Sequence, residues 1–354
     1  MKDLKKLHPR SIVVRMPNWI GDLVMATPLL IDLRHAFPNA TIAAVCQTNV
    51  ASLLNNEPTI DTLFSFQRNK GILRLIKERK ALLPFLRRKP YDVGILLTHS
   101  FSSAWHFFQG KITHRIGYQK EGRAFLLTHP IPFSEKHKTQ HLTLTYKELL
   151  NPLGISPSST PPRIVVSEKE KEEVLKSLKG LEIPSQPKWI GLFPGAGFGT
   201  AKCWLPDRFR QVAERLVEAD PRHMVLFFGD RLSEDLIGPI CTKLSKRVLN
   251  LAGKTTIREL IAWIAICSVV LTNDSGPMHL ADSLGTPLIA LFGSTSPHLT
   301  GPFHQRNHII QKNIHCSPCF KRTCPIGRPC MEKIEVDEVI EAILKQLRTV
   351  NVHT

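Results

Sequence analysis

Short apolar runs that can form strands alternate with helical segments along the whole chain. In the first half the strand-like runs occupy residues 11–15, 41–46, 62–66 and 92–97, and a helix is expected over 22–37. In the second half they occupy 189–193, 223–228, 248–251, 268–272 and 287–293, with helices expected over 206–219, 234–244 and 257–266. This order of strands and helices predicts parallel sheets that are covered by helices on both faces.

The chain has 354 residues, which is enough for two domains with full cores. Breaks rich in proline and serine lie at 151–162 and 183–187, and between them a strand-like run at 163–166 precedes a charged helix. We therefore expect an α/β fold of two Rossmann-like, doubly wound domains, 1–165 and 166–354, that face a central cleft. The last helix, over 336–347, could pack back on the N-terminal domain.

The charge of the chain is strongly positive, with 47 Lys and Arg against 30 Asp and Glu, or +17. Such a balance suits an anionic partner, whether nucleic acid, a membrane surface or a phosphate-rich substrate. Basic residues concentrate between Arg68 and Lys89 among Leu and Ile, which predicts a basic amphipathic helix broken or kinked at Pro84. That helix fits either a core or an anionic membrane face, and no nucleic-acid motif accompanies it.

No apolar run in the sequence is as long as a membrane-spanning helix, and the first residues lack the apolar core of a signal peptide. We therefore expect a cytoplasmic protein.

A polar turn and a short helix over 273–282 separate two of the strand-like runs. Asp274 or Ser275 can cap this helix, and Pro277 suits its first turn. The backbone N–H groups at such a helix start, here near Gly276, favour a bound phosphate. Asp274 could instead bond a ribose or hold the loop, and His279 fits a core histidine as well as a ligand contact.

Two further turns follow strands of the second half. Residues 194–202 are rich in glycine, so the backbone at Gly195 could approach a phosphate while Lys202 adds a charge. The glycine spacing is not that of a dinucleotide fingerprint.

The run Gly253-Lys254-Thr255-Thr256 resembles the end of a P-loop but lacks the earlier glycine of that motif. Thr255 or Thr256 is therefore expected to cap the next helix, and both could line the crevice.

Asp22 follows the first strand of the first domain and has two interpretations. It could cap the helix that begins there, or act as a general base at the cleft. The spacing alone favours the cap.

Four of the eight cysteines form a cluster, Cys316, Cys319, Cys324 and Cys330. Their spacing of two, four and five intervening residues matches neither a zinc ribbon nor a ferredoxin run, which favours a loop of reduced thiols over a metal cluster. The chain also lacks an Asp-x-Asp pair for a metal–diphosphate complex and a Gly-x-Ser-x-Gly elbow.

Four segments in order, residues 15–22, 193–204, 229–230 and 273–279, resemble glycosyltransferase family 9. The resemblance spans nearly the whole chain. It implies a GT-B fold that binds the acceptor on the N-terminal domain and the sugar nucleotide on the C-terminal domain. It also implies inverting transfer that needs neither a metal nor a cofactor.

The resemblance assigns roles to individual residues. Asp22 matches the proposed catalytic base of the family and Lys202 the lysine that meets the diphosphate, which displaces the capping interpretation of Asp22. The ribose contact maps on Glu234, although Ser233 could take its place. The donor site as a whole maps on Gly195, Lys202, Glu234, Thr255, Thr256, Asp274, Ser275, Gly276 and His279.

The activity that the resemblance implies is transfer of heptose from ADP-L-glycero-D-manno-heptose to the first heptose of the lipopolysaccharide inner core. The acceptor would be Kdo–lipid A that carries one heptose, reached by a peripheral enzyme at the anionic inner face of the inner membrane. Addition of the first heptose, or use of another sugar nucleotide, remains an alternative within the fold. A basic protein that binds nucleic acid or metal is the remote alternative.

Overall fold

A computed structural model of the protein describes residues 4–68, 74–305 and 308–349. The chain divides into two compact units, Met1–Val165 and Val166–Thr354. Each unit contains a six-stranded parallel sheet.

The first unit is built around the sheet order β3-β2-β1-β4-β5-β6. Its strands are β1 Ser11–Arg15, β2 Thr41–Gln47, β3 Thr62–Phe66, β4 Val93–Leu96, β5 His114–Tyr118 and β6 His129–Ile131. Its helices are α1 Ile20–Ala36, α2 Thr48–Ala51, α3 Arg74–Arg87, α4 Phe101–Gln109, α5 Lys136–Thr139 and α6 Leu142–Lys147, with 3₁₀ turns over Ser52–Leu54, Ala124–Leu126 and Glu148–Leu153. The strand order reverses beside β1, so the loops after β1 and β4 lie at the switch point where such sheets bind ligands.

The second unit repeats this plan with the order β12-β11-β10-β7-β8-β9. Its strands are β7 Lys188–Phe193, β8 His223–Phe227, β9 Val248–Asn250, β10 Val269–Asn273, β11 Leu288–Phe292 and β12 Ile309–Gln311. Its helices are α7 Glu168–Lys176, α8 Pro206–Ala219, α9 Glu234–Cys241, α10 Ile257–Ile266, α11 Gly276–Leu284, α12 Pro297–Thr300, α13 Pro329–Glu332 and α14 Val336–Thr349, with 3₁₀ turns over Thr200–Lys202 and Arg231–Ser233. Here the switch point lies between β7 and β10.

The central strands are buried along their whole length because helices cover both faces of each sheet. Helix α8 buries one stripe of side chains, Phe209, Val212, Ala213, Leu216 and Val217, as its 3.6-residue periodicity predicts. Helix α14 belongs to the same core through Val339 and Ile343, and it packs on α8, β10 and β11. The last helix therefore packs on the core of the second unit.

Three sequence-based expectations differ from the structure. Residues 163–166 form no strand, because the backbone N–H of Arg163 donates to the hydroxyl of Thr27 at 3.0 Å and its guanidinium pairs with Glu57 at 3.0 Å. The basic helix α3 runs through Pro84 instead of breaking there, while residues 69–73, in the first part of the predicted helix, lie outside the described residues. Strands β5, β6 and β12 were not predicted.

Within the residues that the structure describes, no helix has both the length and the apolar character needed to cross a bilayer.

Candidate functional site

The loop after β1 is held by Arg15, the last residue of that strand. Its guanidinium donates to Asn18 Oδ1 at 2.6 Å, to the carbonyl of Val45 at 3.3 Å and to the carbonyl of Met16. Burial lowers the pKa of Arg15 to about 10, so the side chain stays charged at neutral pH. A buried arginine with these three acceptors fixes the path of the chain into α1.

Asp22 lies in the first turn of α1, where Trp19 and not Asp22 occupies the N-cap position. The interpretation of Asp22 as the capping residue is therefore wrong. The carboxylate is half-buried and lies near the phenol of Tyr146 on α6, whose pKa is raised by burial and further by the charge of Asp22. Asp22 thus presents a carboxylate at the carboxyl edge of the first sheet, next to its switch point.

In the second unit Asn273 ties together the turns that follow β7 and β10. This fully buried side chain accepts from the backbone N–H of Trp204 at 3.0 Å and donates to the carbonyl of Pro194 at 2.6 Å. The glycine-rich turn is thereby fixed against the end of β10, so two of the predicted phosphate-binding turns are neighbours.

Lys202 and Asp274 meet where these turns join. The ammonium of Lys202 lies 2.5 Å from Asp274 Oδ2, which also accepts from the hydroxyl of Thr295 at 2.5 Å. Asp274 is 4% exposed and the side chain of Lys202 is 12% exposed. Of the roles considered for Asp274, the structure shows it holding the loop, because both contacts join separate turns of the same sheet edge.

Ser275 occupies the N-cap position of α11, and its side chain makes no capping hydrogen bond. Its hydroxyl lies 3.3 Å from that of Thr272. Gly276 and Pro277 begin the helix, and His279 is buried within it. The start of α11 therefore offers backbone N–H groups and a partial positive charge next to Lys202, as a phosphate would need.

The turns after β7, β8 and β9 contain further predicted site residues. Gly195 faces Ser233, since a Cβ there would lie 3.2 Å from the Ser233 hydroxyl, and that hydroxyl donates to Asp230 at 2.6 Å. Glu234 is exposed at the start of α9, and its carboxylate lies against Gly253, where a Cβ would overlap it. Of the two ribose candidates, Ser233 has its hydroxyl bonded to Asp230, whereas Glu234 is exposed.

Thr256 caps α10 in a capping box. Its hydroxyl accepts from the backbone N–H of Glu259 at 3.3 Å, and the Glu259 carboxylate accepts from the N–H of Thr256 at 2.7 Å. This confirms the expected cap and occupies the side chain, while Thr255 lies half-buried just before it.

The cysteine cluster packs as a loop against the same edge of the sheet. Cys324 Sγ accepts from the backbone N–H of Arg328 at 3.2 Å, and Cys330 is buried against Gly293 at the end of β11. In the part of the chain that the structure describes, no three His, Cys, Asp or Glu side chains are grouped to hold a metal ion.

Three residues of the edge were missed from the sequence, namely Thr295, Phe198 and Arg322. Thr295 could have been found, because it lies in the turn after β11 as Asp274 lies in the turn after β10, and the two strands are neighbours. Phe198 and Arg322 carry no local signal, since their placement depends on how two distant loops pack.

The chain is similar to known proteins in sequence and in fold. A sequence model described as Glycosyltransferase family 9 (heptosyltransferase) matches residues 79–329. Lipopolysaccharide heptosyltransferase 2 of Escherichia coli strain K12 is 31% identical over 312 residues, covering 85% of this chain and 88% of that protein. Lipooligosaccharide heptosyltransferase 2 of Campylobacter jejuni is 29% identical over 345 residues, covering 95% and 98%. The solved structure of E. coli ADP-heptose LPS heptosyltransferase II matches with a TM-score of 0.82 at 27% identity, covering 96% of this chain and 99% of that one.

Proposed function

Since the chain belongs to glycosyltransferase family 9 and is a glycosyltransferase with a GT-B fold, we propose that it adds the second heptose of the lipopolysaccharide inner core. The donor is ADP-L-glycero-D-manno-heptose, and the acceptor is Kdo–lipid A that already carries one heptose. Relatives named heptosyltransferase 2 cover most of the chain, which favours this acceptor over one without heptose. The pairing of Lys202 with the turn at Asp274 is the structural observation that carries the proposal.

The donor binds at the carboxyl edge of the second sheet in this proposal. An ammonium group has three N–H donors, so Lys202 can face Asp274 and still donate to a diphosphate oxygen. The backbone at Ser275 and Gly276 meets the phosphates at the start of α11. Glu234 accepts from a ribose hydroxyl, and Gly195, Thr255, Thr256 and His279 complete the surroundings of the nucleotide.

The reaction needs a base for the acceptor and charge stabilisation for the departing ADP. Asp22 accepts the proton of the acceptor hydroxyl as its oxygen bonds to the anomeric carbon of the heptose. The bond from that carbon to the diphosphate oxygen breaks on the opposite face, which inverts the configuration. Lys202 and the N–H groups at the start of α11 stabilise the charge on ADP, a task that a divalent metal performs where an Asp-x-Asp pair holds one.

The acceptor is a lipid, and the first unit has a surface suited to an anionic bilayer. Phe101, Trp105 and Phe108 lie at helical spacing on one face of α4, and their rings follow each other at centroid distances of 6.4 and 5.8 Å. Phe125, 73% exposed, extends this aromatic stripe at 6.1 Å from Phe101. Exposed aromatic rings beside cations are typical of proteins that lie at a membrane interface.

Cations border the aromatic stripe. The guanidinium of Arg115 lies over the Phe108 ring at 5.4 Å. Helix α3 packs against α4 at Leu86 and Gly110, and it carries exposed Lys77, Arg79, Lys80 and Arg87. We propose that α3 and α4 together rest on the anionic inner face of the inner membrane, with the enzyme peripheral and cytoplasmic.

Two experiments test these statements. In the first, the protein is incubated with ADP-heptose, UDP-glucose or GDP-mannose and with Kdo–lipid A that carries no heptose or one heptose. The masses of the products are measured by mass spectrometry. A mass increase of one heptose only with ADP-heptose and the mono-heptosylated acceptor is the expected result. Efficient transfer to the heptose-free acceptor would assign the protein to the first addition instead.

The second experiment measures sedimentation with vesicles of phosphatidylcholine alone or mixed with phosphatidylglycerol. Phe125→Ser with Phe108→Ser should weaken binding to the anionic vesicles, whereas the control Leu232→Ser should not, although Leu232 is 90% exposed in the second unit. Equal binding by all three proteins would remove the membrane surface from the proposal.

A further inference from the structure

The cysteine loop, residues 316–330, is built into the edge of the sheet where the proposed function binds the donor. The backbone N–H groups of Cys319 and Phe320 both donate to the carbonyl of Ser294, at 3.1 and 2.7 Å. Ser294 directly precedes Thr295, the hydroxyl partner of Asp274. The loop is therefore anchored next to the residue that hydrogen-bonds Asp274 of the Lys202–Asp274 pair.

The other side of the loop contacts the glycine-rich turn. The carbonyl of Arg322 accepts from the backbone N–H of Ala201 at 3.0 Å, and Gly199 has a φ of +154° and approaches that carbonyl so closely that a Cβ would overlap it. The guanidinium of Arg328 donates to the carbonyl of Cys203 at 3.1 Å. These bonds fix the backbone of Arg322 beside Lys202.

The side chain of Arg322 shares an aromatic platform with Lys202. Its guanidinium carbon lies 5.3 Å from the centroid of the Phe198 ring, and the ammonium of Lys202 lies 4.8 Å from the same centroid. Phe198 is 39% exposed, and Arg322 is exposed. Both cations thus border one ring that faces solvent at the carboxyl edge of the sheet.

The two cations differ in whether a carboxylate already neutralises them. Lys202 is balanced at 2.5 Å by the buried carboxylate of Asp274. Arg322 makes no ion pair with any carboxylate of residues 4–68, 74–305 and 308–349. A diphosphate carries several negative charges. The Lys202–Asp274 ion pair has no net charge, so it cannot balance them, and a further cation is needed at the site.

We propose that Arg322 is a second diphosphate-binding cation, supplied by the cysteine loop to the nucleotide site and resting on Phe198. The ligand class is a nucleoside diphosphate or its sugar ester, and the inference rests on the proposed function for the place of the donor. The loop then has a structural task, because its backbone hydrogen bonds to Ser294 and Ala201 hold the residue that carries this guanidinium.

The experiment compares binding of ADP, AMP and inorganic pyrophosphate by calorimetry to the full-length protein and to Arg322→Gln and Arg322→Lys. Lys321→Gln, at an exposed neighbour in the same loop, is the matched control. A charge-assisted bond to the diphosphate predicts that Arg322→Gln weakens ADP and pyrophosphate about tenfold and AMP much less. Arg322→Lys should recover part of the affinity, and the melting temperatures of all three variants should stay near that of the parent.

Two outcomes would overturn the inference. One is an ADP affinity of Arg322→Gln equal to that of the parent, and the other is an equal loss for AMP and ADP, which would mean a contact elsewhere on the nucleotide. Failure of the proposed function would give a different result. The parent protein would then bind pyrophosphate and another nucleoside diphosphate but would not use ADP-heptose, and the same variants would test Arg322 with that nucleotide.

Discussion

The ammonium of Lys202 and the carboxylate of Asp274 lie 2.5 Å apart, both largely buried, and this ion pair joins the turn after β7 to the turn after β10. Because the two strands are hydrogen-bonded neighbours, the pair sits at the switch point of the second sheet. Asp274 holds the loop, whereas the ammonium of Lys202 has further N–H groups that can donate to a ligand.

Lys202→Met should lower both stability and donor binding, since it leaves the buried Asp274 carboxylate without its ammonium partner and with the hydrogen bond from the Thr295 hydroxyl. We expect a loss of about 2–4 kcal/mol in the free energy of unfolding, measured with urea. The double variant Lys202→Met with Asp274→Asn should regain most of that stability without regaining ADP affinity. Normal ADP binding by the double variant would show that the diphosphate lies elsewhere.

Asp22→Asn should remove transfer and spare nucleotide binding. Loss of a general base reduces turnover by about 10²–10⁴-fold, while the dissociation constant of ADP should stay within about twofold because Asp22 belongs to the first unit. The control Asp207→Asn changes an exposed acidic residue in the first turn of α8 and should leave turnover unchanged. Full activity of Asp22→Asn would rule out the assignment of the base.

Asn273→Leu should disturb both turns at once. The substitution removes the acceptor for Trp204 and the donor for Pro194 in a fully buried place, so two backbone groups lose their partners. The expected loss of unfolding free energy is about 2–4 kcal/mol. The Michaelis constant for the donor should rise in parallel. A stable variant with an unchanged Michaelis constant would mean that Asn273 does not position the turns.

Gly199→Ala tests the contact between the glycine-rich turn and the cysteine loop. Gly199 and Gly180 both have positive φ, +154° and +90°, but a Cβ at Gly180 has nothing within 4 Å whereas one at Gly199 overlaps the Arg322 carbonyl. Both alanine variants should lose about 1 kcal/mol of stability or more from backbone strain. Only Gly199→Ala should also lose ADP affinity, and equal affinity in the two variants would contradict the account.

Glu170 makes stability depend on pH. Hydrogen bonds from Arg258, at 2.7 and 2.8 Å, hold the pKa of Glu170 at about 2, below its ordinary value, and tie α7 to α10. A carboxyl with a depressed folded-state pKa adds stability above its unfolded pKa and loses it as the pH falls from about 4.5 toward 2. Glu170→Gln should cost roughly 1–2 kcal/mol at pH 7 and less at pH 3. Glu173→Gln is the control. A loss of stability in Glu170→Gln that is the same at pH 7 and pH 3 would show that the ionised Glu170 is not what Arg258 stabilises.

The elements that the sequence predicted well are those with strong local patterns. The run from β10 through α11 to β11 was predicted because buried strands and a helix start have their own residue signals. Strands β5, β6 and β12 were missed, since each is short and carries polar residues or proline, as in the sequence HRIGY of β5. Their pairing comes from the neighbouring strand and not from their own pattern.

The site was predicted in its residues but not in its contacts. Lys202 and Asp274 were both singled out, yet their ion pair depends on the register of β7 against β10. Residues 316–330 have no periodicity, so nothing in them indicates that Arg322 would reach Phe198. Long-range packing of irregular loops is where a single sequence carries least information.

The central claim is tested most directly by ADP release from ADP-L-glycero-D-manno-heptose in EDTA, with and without mono-heptosylated Kdo–lipid A. The account predicts rapid ADP release that requires the acceptor and continues in the chelator. Binding of ADP without acceptor-dependent release would contradict the proposed reaction while leaving the fold and the nucleotide site intact.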